Sequence, residues 1–115
     1  MAAARPTIST HVLDLASGEP APALGVALFR LADDGSPELV SDLRTDEDGR
    51  IPDLLDGREL TPGDYQLAFD VGEYAGDPDA FFQSAAYALR VTDPNRSYHV
   101  PLLLSPYGMS TYRGS

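Results

Sequence analysis

Histidine is the side chain that exchanges protons near neutral pH, with a reference pKa of about 6.5, and this sequence has two of them, His11 and His99. His99 stands in the stretch 98–115, where Tyr107, Tyr112, Arg113 and the hydroxyl of Ser115 follow within a short distance along the chain. Chain ends are usually loose and polar. A hairpin that carries an imidazole, an arginine, tyrosines and a hydroxyl is instead expected to belong to a site. If the second histidine and an arginine converge on it, the set can take a proton from water, hold a developing negative charge and orient a polar ligand. A lone histidine on a strand face with apolar neighbours is more often structural, so convergence is the condition that matters.

Other chemistries are less well supplied. Cysteine is absent, which excludes thiol nucleophiles, disulfide frameworks and thiolate zinc sites. No Gly-x-Ser-x-Gly elbow, His-Glu-x-x-His pair or Gly-x-Gly-x-x-Gly loop occurs. Two neutral imidazoles could hold zinc, but spacing suggests no third ligand, and no metal or other cofactor is expected. The acidic turn 46–49 does not fit a calcium loop. With Gly49 at the sixth position, Arg44 and Leu55 fall where carboxylates are required.

The elements that must position these groups are legible as period-2 segments. Residues 7–15 predict a first strand with Ser9, His11, Leu13 and Leu15 on one face and Ile8, Thr10 and Val12 on the other. After a Pro/Gly/Ser connection, residues 25–31 are apolar at nearly every position, as in a strand covered on both faces. Residues 38–45 alternate Leu39, Ser41 and Leu43 against Val40, Asp42 and Arg44, an outer strand. Turns at 46–49 and 61–64 flank Arg50 and Ile51, and residues 65–71 then form a strand with four large apolar residues on its core face. One short helix is possible within 73–82. Residues 85–92 give another strand, 93–96 a turn, and 98–104 with 109–112 the closing hairpin around Ser105-Pro106-Tyr107-Gly108. Pro101 removes a ladder donor, so that strand is expected to be irregular or at an edge. Short strands between regular turn signals argue an all-β fold, an antiparallel β-sandwich.

At 115 residues this is one domain. Residues 1–6 are expected to be a disordered tail, too short for a signal peptide, and no apolar run approaches the roughly 18 residues of a spanning helix. A soluble, non-exported, cytoplasmic protein is expected. Eighteen acidic residues against eight arginines give a net charge of −10, which repels a polyanion, so neither nucleic acid nor membrane is an expected partner.

The sequence also resembles the 5-hydroxyisourate hydrolases, the enzymatic branch of the transthyretin-like family. The resemblance lies in Ser9-Thr10-His11-Val12-Leu13-Asp14, in Arg44-Thr45-Asp46-Glu47-Asp48-Gly49-Arg50-Ile51, and in Tyr98-His99-Val100-Pro101-Leu102-Leu103-Leu104-Ser105-Pro106-Tyr107-Gly108 ending in Tyr112-Arg113-Gly114-Ser115. It covers residues 7–115. It implies a transthyretin-like sandwich of about eight strands with one short helix, and a homotetramer built as a dimer of dimers. The implied reaction is hydrolytic opening of 5-hydroxyisourate to 2-oxo-4-hydroxy-4-carboxy-5-ureidoimidazoline, in urate degradation. It also implies catalytic roles for His11, Arg50, His99 and Ser115, and substrate-binding roles for His11, Arg50, Tyr112, Arg113, Gly114 and Ser115. A transthyretin-type small-molecule carrier is the alternative. The sequence departs from the family at Gln83-Ser84, where a proline and an acid are usual, and at Met109, where an aromatic is usual.

Overall fold

A computed structural model of the protein describes residues 5–114. It contains ten strand segments and one helix: β1 (Ile8–Asp14), β2 (Glu19–Pro20), β3 (Gly25–Leu31), β4 (Pro37–Arg44), β5 (Arg50–Ile51), β6 (Gly63–Phe69), α1 (Val71–Ala75), β7 (Ala85–Val91), β8 (Tyr98–His99), β9 (Leu102–Ser105) and β10 (Gly108–Thr111). They form two sheets, one in the order β4-β3-β6-β7 and one built on β1. The expected all-β sandwich is present, with one difference. β1 pairs in parallel with both β8 and β9, so its sheet is mixed rather than wholly antiparallel.

β1 organises that sheet. On one side it meets β8 and then β9; on the other it meets β5 and then β2, antiparallel. Alternation sends Ile8, Thr10 and Val12 into the core, none more than 1% exposed, and leaves Ser9, His11 and Leu13 on the outer face. β8 and β9 would be one strand but for Pro101. Where the ladder breaks, two hydroxyls take over: Thr10 Oγ1 donates to the Val100 carbonyl at 2.6 Å and Thr111 Oγ1 to the Pro101 carbonyl at 2.7 Å. The irregularity expected at Pro101 is thus a local break in a strand central to the sheet, tolerable because side chains satisfy the carbonyls.

The other sheet supplies the facing layer. Tyr65, Leu67 and Phe69 of β6 are at most 2% exposed and pack with Val26 and Leu28 of β3. Burying each of these side chains contributes about 1.5–3 kcal/mol. β3 is covered on one face only: Val26 and Leu28 are buried while its other residues are half-exposed, so the near-continuous apolar run did not signal two covered faces. In β4 a bulge against Leu28/Phe29 shifts the register. Ser41 and Leu43 therefore point inward as expected, but Leu39 is turned out, 57% exposed, and Val40 packs on the core instead.

The helix begins earlier than the 73–82 window. Asp70 accepts from the Glu73 N–H and Gly76 closes the last turn with φ +67°, so Val71 belongs to α1 and not to the preceding strand. Residues 52–60, which carry no periodic signal, deliver Leu54, Leu55 and Leu60 to the core from irregular backbone. Of the 1–6 tail, residues 1–4 lie outside the described residues; the Arg5 guanidinium donates to the carbonyls of Gly57 and Arg58. Among the described residues no helix is long and apolar enough to cross a membrane.

Candidate active site

The site grows from two registers on β1. His11 is opposite Arg50 of β5, and Ser9, two residues earlier on the same face, is opposite His99 of β8. Since paired residues project to the same side of a sheet, Arg50, His11, Ser9 and His99 share the outer face of three adjacent strands. The expected convergence of both histidines with an arginine is met by backbone pairing alone.

Arg50 is brought to this place by the Asp46 turn. Asp46 Oδ1 accepts from the N–H groups of Asp48 and Arg50, each at 2.9 Å, and Gly49 turns the chain at φ +74°. Gly49 then lies directly on β1. Its carbonyl accepts from the Val12 N–H at 2.8 Å, and a Cβ at this position would stand 2.4 Å from the Val12 carbonyl oxygen. Only glycine lets the turn approach so closely, and the next residue is Arg50.

His99 is held on both sides. Its Nδ1 is 2.8 Å from Ser9 Oγ, and its carbonyl accepts from the Gly114 N–H, also at 2.8 Å. The ring is half-buried. Burial holds its pKa below the ordinary histidine value, and the positive charge of Arg50 and the proximity of His11 act in the same direction. At neutral pH His99 is therefore a neutral imidazole, able to accept a proton. Ser9 is the member of this group that the sequence expectation did not name as a site residue. Its signal was present, since period-2 alternation places it on the His11 face.

The 112–114 segment continues the β9–β10 register past Pro101, so that Gly114 bridges His99. Alternation along it separates the expected binding residues. Gly114 and Tyr112 are on the His99 side, whereas Arg113 turns to the opposite side and its guanidinium stacks 4.8 Å above the ring of Tyr98. Ser115 lies outside the described residues. The large apolar residues of the closing hairpin divide similarly. Leu102 and Leu104 are already in this chain's own core and Met109 packs on it, while Tyr107 and Tyr112 are 94% and 55% exposed.

Among the described residues, no group of three histidine or acidic side chains is arranged to hold a metal ion. One cavity, of about 780 Å3, lies away from the histidines. Asp14, Tyr74, Phe81, Phe82, Leu104 and Tyr107 are among its walls, beside the helix. It lacks any histidine or arginine, whereas the open face around β1 holds a neutral imidazole, a second imidazole, a guanidinium and a hydroxyl. The latter is the better equipped for hydrolytic chemistry.

Comparison with known proteins places these features in context. The family model of the HIUase/Transthyretin family matches residues 8–114. A 5-hydroxyisourate hydrolase of Salmonella dublin is 42% identical, over all of this chain and 85% of its own length. The solved structure of Klebsiella pneumoniae 5-hydroxyisourate hydrolase superposes with a TM-score of 0.81 at 34% identity, covering 96% of this chain and 99% of the other. Sea bream transthyretin in complex with thyroxine superposes with a TM-score of 0.84 at 25% identity, over 93% of each chain.

Proposed function

The chain belongs to the HIUase/Transthyretin family, and from that premise we propose that it is a cytoplasmic hydroxyisourate hydrolase, a cyclic amide hydrolase that opens the ring of 5-hydroxyisourate with water. The observation that carries the reading is the pair of registers on β1 that sets His11, Arg50 and His99 on one open face. A small-molecule carrier has no need of two imidazoles and a guanidinium together. The hydrolase-named relatives match over 94–100% of the chain, which supports the same reading.

The chemistry asks for a base, an oxyanion partner and a proton donor for the leaving nitrogen. His99, neutral at pH 7, takes a proton from water as the water oxygen bonds to the ring carbonyl carbon. Arg50 holds the oxygen that becomes negative, through charge-assisted hydrogen bonds. As the carbon–nitrogen bond breaks, the nitrogen receives the proton that the imidazole gained, so His99 returns to its starting state. His11, beside Arg50, binds the substrate and shares the proton traffic. Tyr112 and Gly114 border the substrate from the segment that pairs with β8, and Ser115 adds a hydroxyl to it. Arg113 acts from the reverse side, its stacking on Tyr98 holding that segment in place. No cofactor takes part.

Arg50 is exposed and the face is open to solvent, so a second copy laid over it would shield the site from bulk solvent while leaving room for the one reacting water. We assign that part to a homotetramer, a dimer of dimers, in which two such faces oppose each other. The test is the ultraviolet decay of freshly generated 5-hydroxyisourate with and without the protein. Acceleration that saturates with substrate is the expected result. Tight binding without acceleration would favour the carrier.

A further inference from the structure

His99 is gripped by two groups: Ser9, to which the reaction scheme gives no task, and Gly114, to which it gives only a place beside the substrate. Ser9 Oγ meets Nδ1 at 2.8 Å from the β1 side. From the other side comes the backbone of Gly114, so close that a Cβ there would stand 2.7 Å from Cδ2, 3.1 Å from Cβ and 3.2 Å from Cγ of His99. Real Cβ atoms essentially never come within 3.0 Å of a heavy atom beyond their own residue and its chain neighbours. The space of a side chain at position 114 is thus filled by the imidazole itself.

These contacts define the ring's attitude. With Nδ1 turned to β1 and Cδ2 to the 112–114 segment, the two remaining ring atoms, Cε1 and Nε2, point away from the sheet toward the open face. An imidazole that flipped by half a turn would lose the serine contact and set Cδ2 against the hydroxyl. One that swung sideways would meet the Gly114 backbone. The β1–β8 pairing anchors both walls, because Ser9 and His99 are register partners and the Gly114 N–H bonds the carbonyl of His99 itself.

We propose that Ser9 and Gly114 are positioning residues that lock the His99 imidazole in one orientation and one tautomer, with Nδ1–H donating to Ser9 Oγ and Nε2 left bare toward the substrate. The choice of tautomer follows from the neighbours. The charged or titratable groups that bear on the ring are Arg50 of β5 and His11 of β1, while Arg113 of the 112–114 segment is engaged with Tyr98 on the opposite side. Ser9 Oγ, 2.8 Å from Nδ1, can accept the Nδ1 proton, which leaves the ring's lone pair on Nε2. The bare Nε2 is also the atom that the base role requires. The orientation stands on contacts alone, whereas its effect on turnover rests on the hydrolase reading.

The experiment separates the two. Histidine-selective nitrogen-15 labelling with long-range nitrogen–proton correlation reports at which ring nitrogen the proton resides, without any substrate. At pH 8 the wild-type protein is expected to show His99 protonated at Nδ1 and bare at Nε2. Ser9→Ala should convert this to a mixture of tautomers, Ser9→Thr should restore it, and Gly114→Ala should shift the ring off the serine with the same loss. In turnover, Ser9→Ala and Gly114→Ala should lower kcat by about 10- to 100-fold, the size of loss that follows when the partner orienting a metal-bound imidazole is removed. KM should change little, and Ser9→Thr should recover most of the rate. A wild-type spectrum with the proton on Nε2 would overturn the tautomer assignment. A Ser9→Ala protein with unchanged spectrum and kcat would overturn the clamp. A wild-type protein inactive on 5-hydroxyisourate would overturn the reaction instead, with the spectra still deciding the clamp.

Discussion

Gly49→Ala should injure both the fold and the site, by an amount that a second glycine calibrates. An alanine at position 49 must adopt φ +74°, which costs about 1–2 kcal/mol for a residue with a Cβ. The new methyl carbon would also lie 2.4 Å from the Val12 carbonyl oxygen, and 3.1 Å from both Ala21 N and Pro20 Cβ. Relief requires β5 and β1 to part by about 1 Å, since repulsion rises steeply below van der Waals contact. That movement weakens the 2.8 Å bond from the Val12 N–H to the Gly49 carbonyl, worth about 0.5–1.5 kcal/mol. Gly57 has almost the same backbone angle, φ +85°, with nothing within 4 Å of its virtual Cβ, so Gly57→Ala bears the strain alone. The loss should be about 2–4 kcal/mol for Gly49→Ala and about 1–2 kcal/mol for Gly57→Ala. Calorimetry at one protein concentration should resolve the difference, at roughly 4–8 °C of Tm per kcal/mol for a domain near this size. Because Arg50 follows Gly49 and faces His11, a displacement of about 1 Å should also lower kcat/KM by roughly 100-fold. Gly57→Ala should keep its rate. Equal Tm losses in the two variants, or wild-type kcat/KM in Gly49→Ala, would refute the argument that the close approach to β1 delivers Arg50.

Three further outcomes follow from the same geometry. His99→Asn and His11→Asn should each lower turnover by about two to four powers of ten with Tm retained; in the wild type, kcat/KM should fall on the acid side with a midpoint below the usual histidine value of about 6.5, because burial, Arg50 and His11 all lower the His99 pKa and protonation removes the base. Arg50→Lys keeps the charge but loses the planar fork, so activity should drop sharply at unchanged Tm while the His99 titration followed by NMR stays in place; Arg50→Gln should move that titration to higher pH, and no movement would remove Arg50 as a cause of the shift. Deleting residues 114 and 115 removes the Gly114 contact to His99 but takes away only two residues with little apolar surface, so light scattering should give the same assembly as the full chain, the proposed tetramer, while turnover is mostly lost; a truncated protein of unchanged assembly and full activity would count against a catalytic part for this segment.

Much of the framework was legible in the residues. Alternation in 7–15 and 65–71 and the apolar run at 25–31 announce strands, the first two because a half-buried strand must change face at each residue. Where the geometry departs from period 2, the local pattern misled: the bulge opposite Leu28 and Phe29 reversed the faces of Leu39 and Val40, and the Asp70 cap drew Val71 into a helix. Leu54, Leu55 and Leu60 left no periodic trace because they enter the core from a loop whose shape is set by what it packs against.

The same division runs through the site. The sequence by itself determined which side chains were available, two imidazoles and an arginine after an Asp-Glu-Asp-Gly turn, and that His11 shares a face with Ser9. Only the tertiary structure decided that His99 and Arg50 flank β1 on opposite sides, because the partners of a strand are chosen by long-range packing and loop closure, not by local preference. It also decided that Ser9 meets Nδ1 of His99, that Gly114 yields its side-chain space to the ring, and that Arg113 turns to Tyr98. Each of these depends on a register across strands distant in sequence, and a shift of one residue would send every one of these groups to the other face of the sheet.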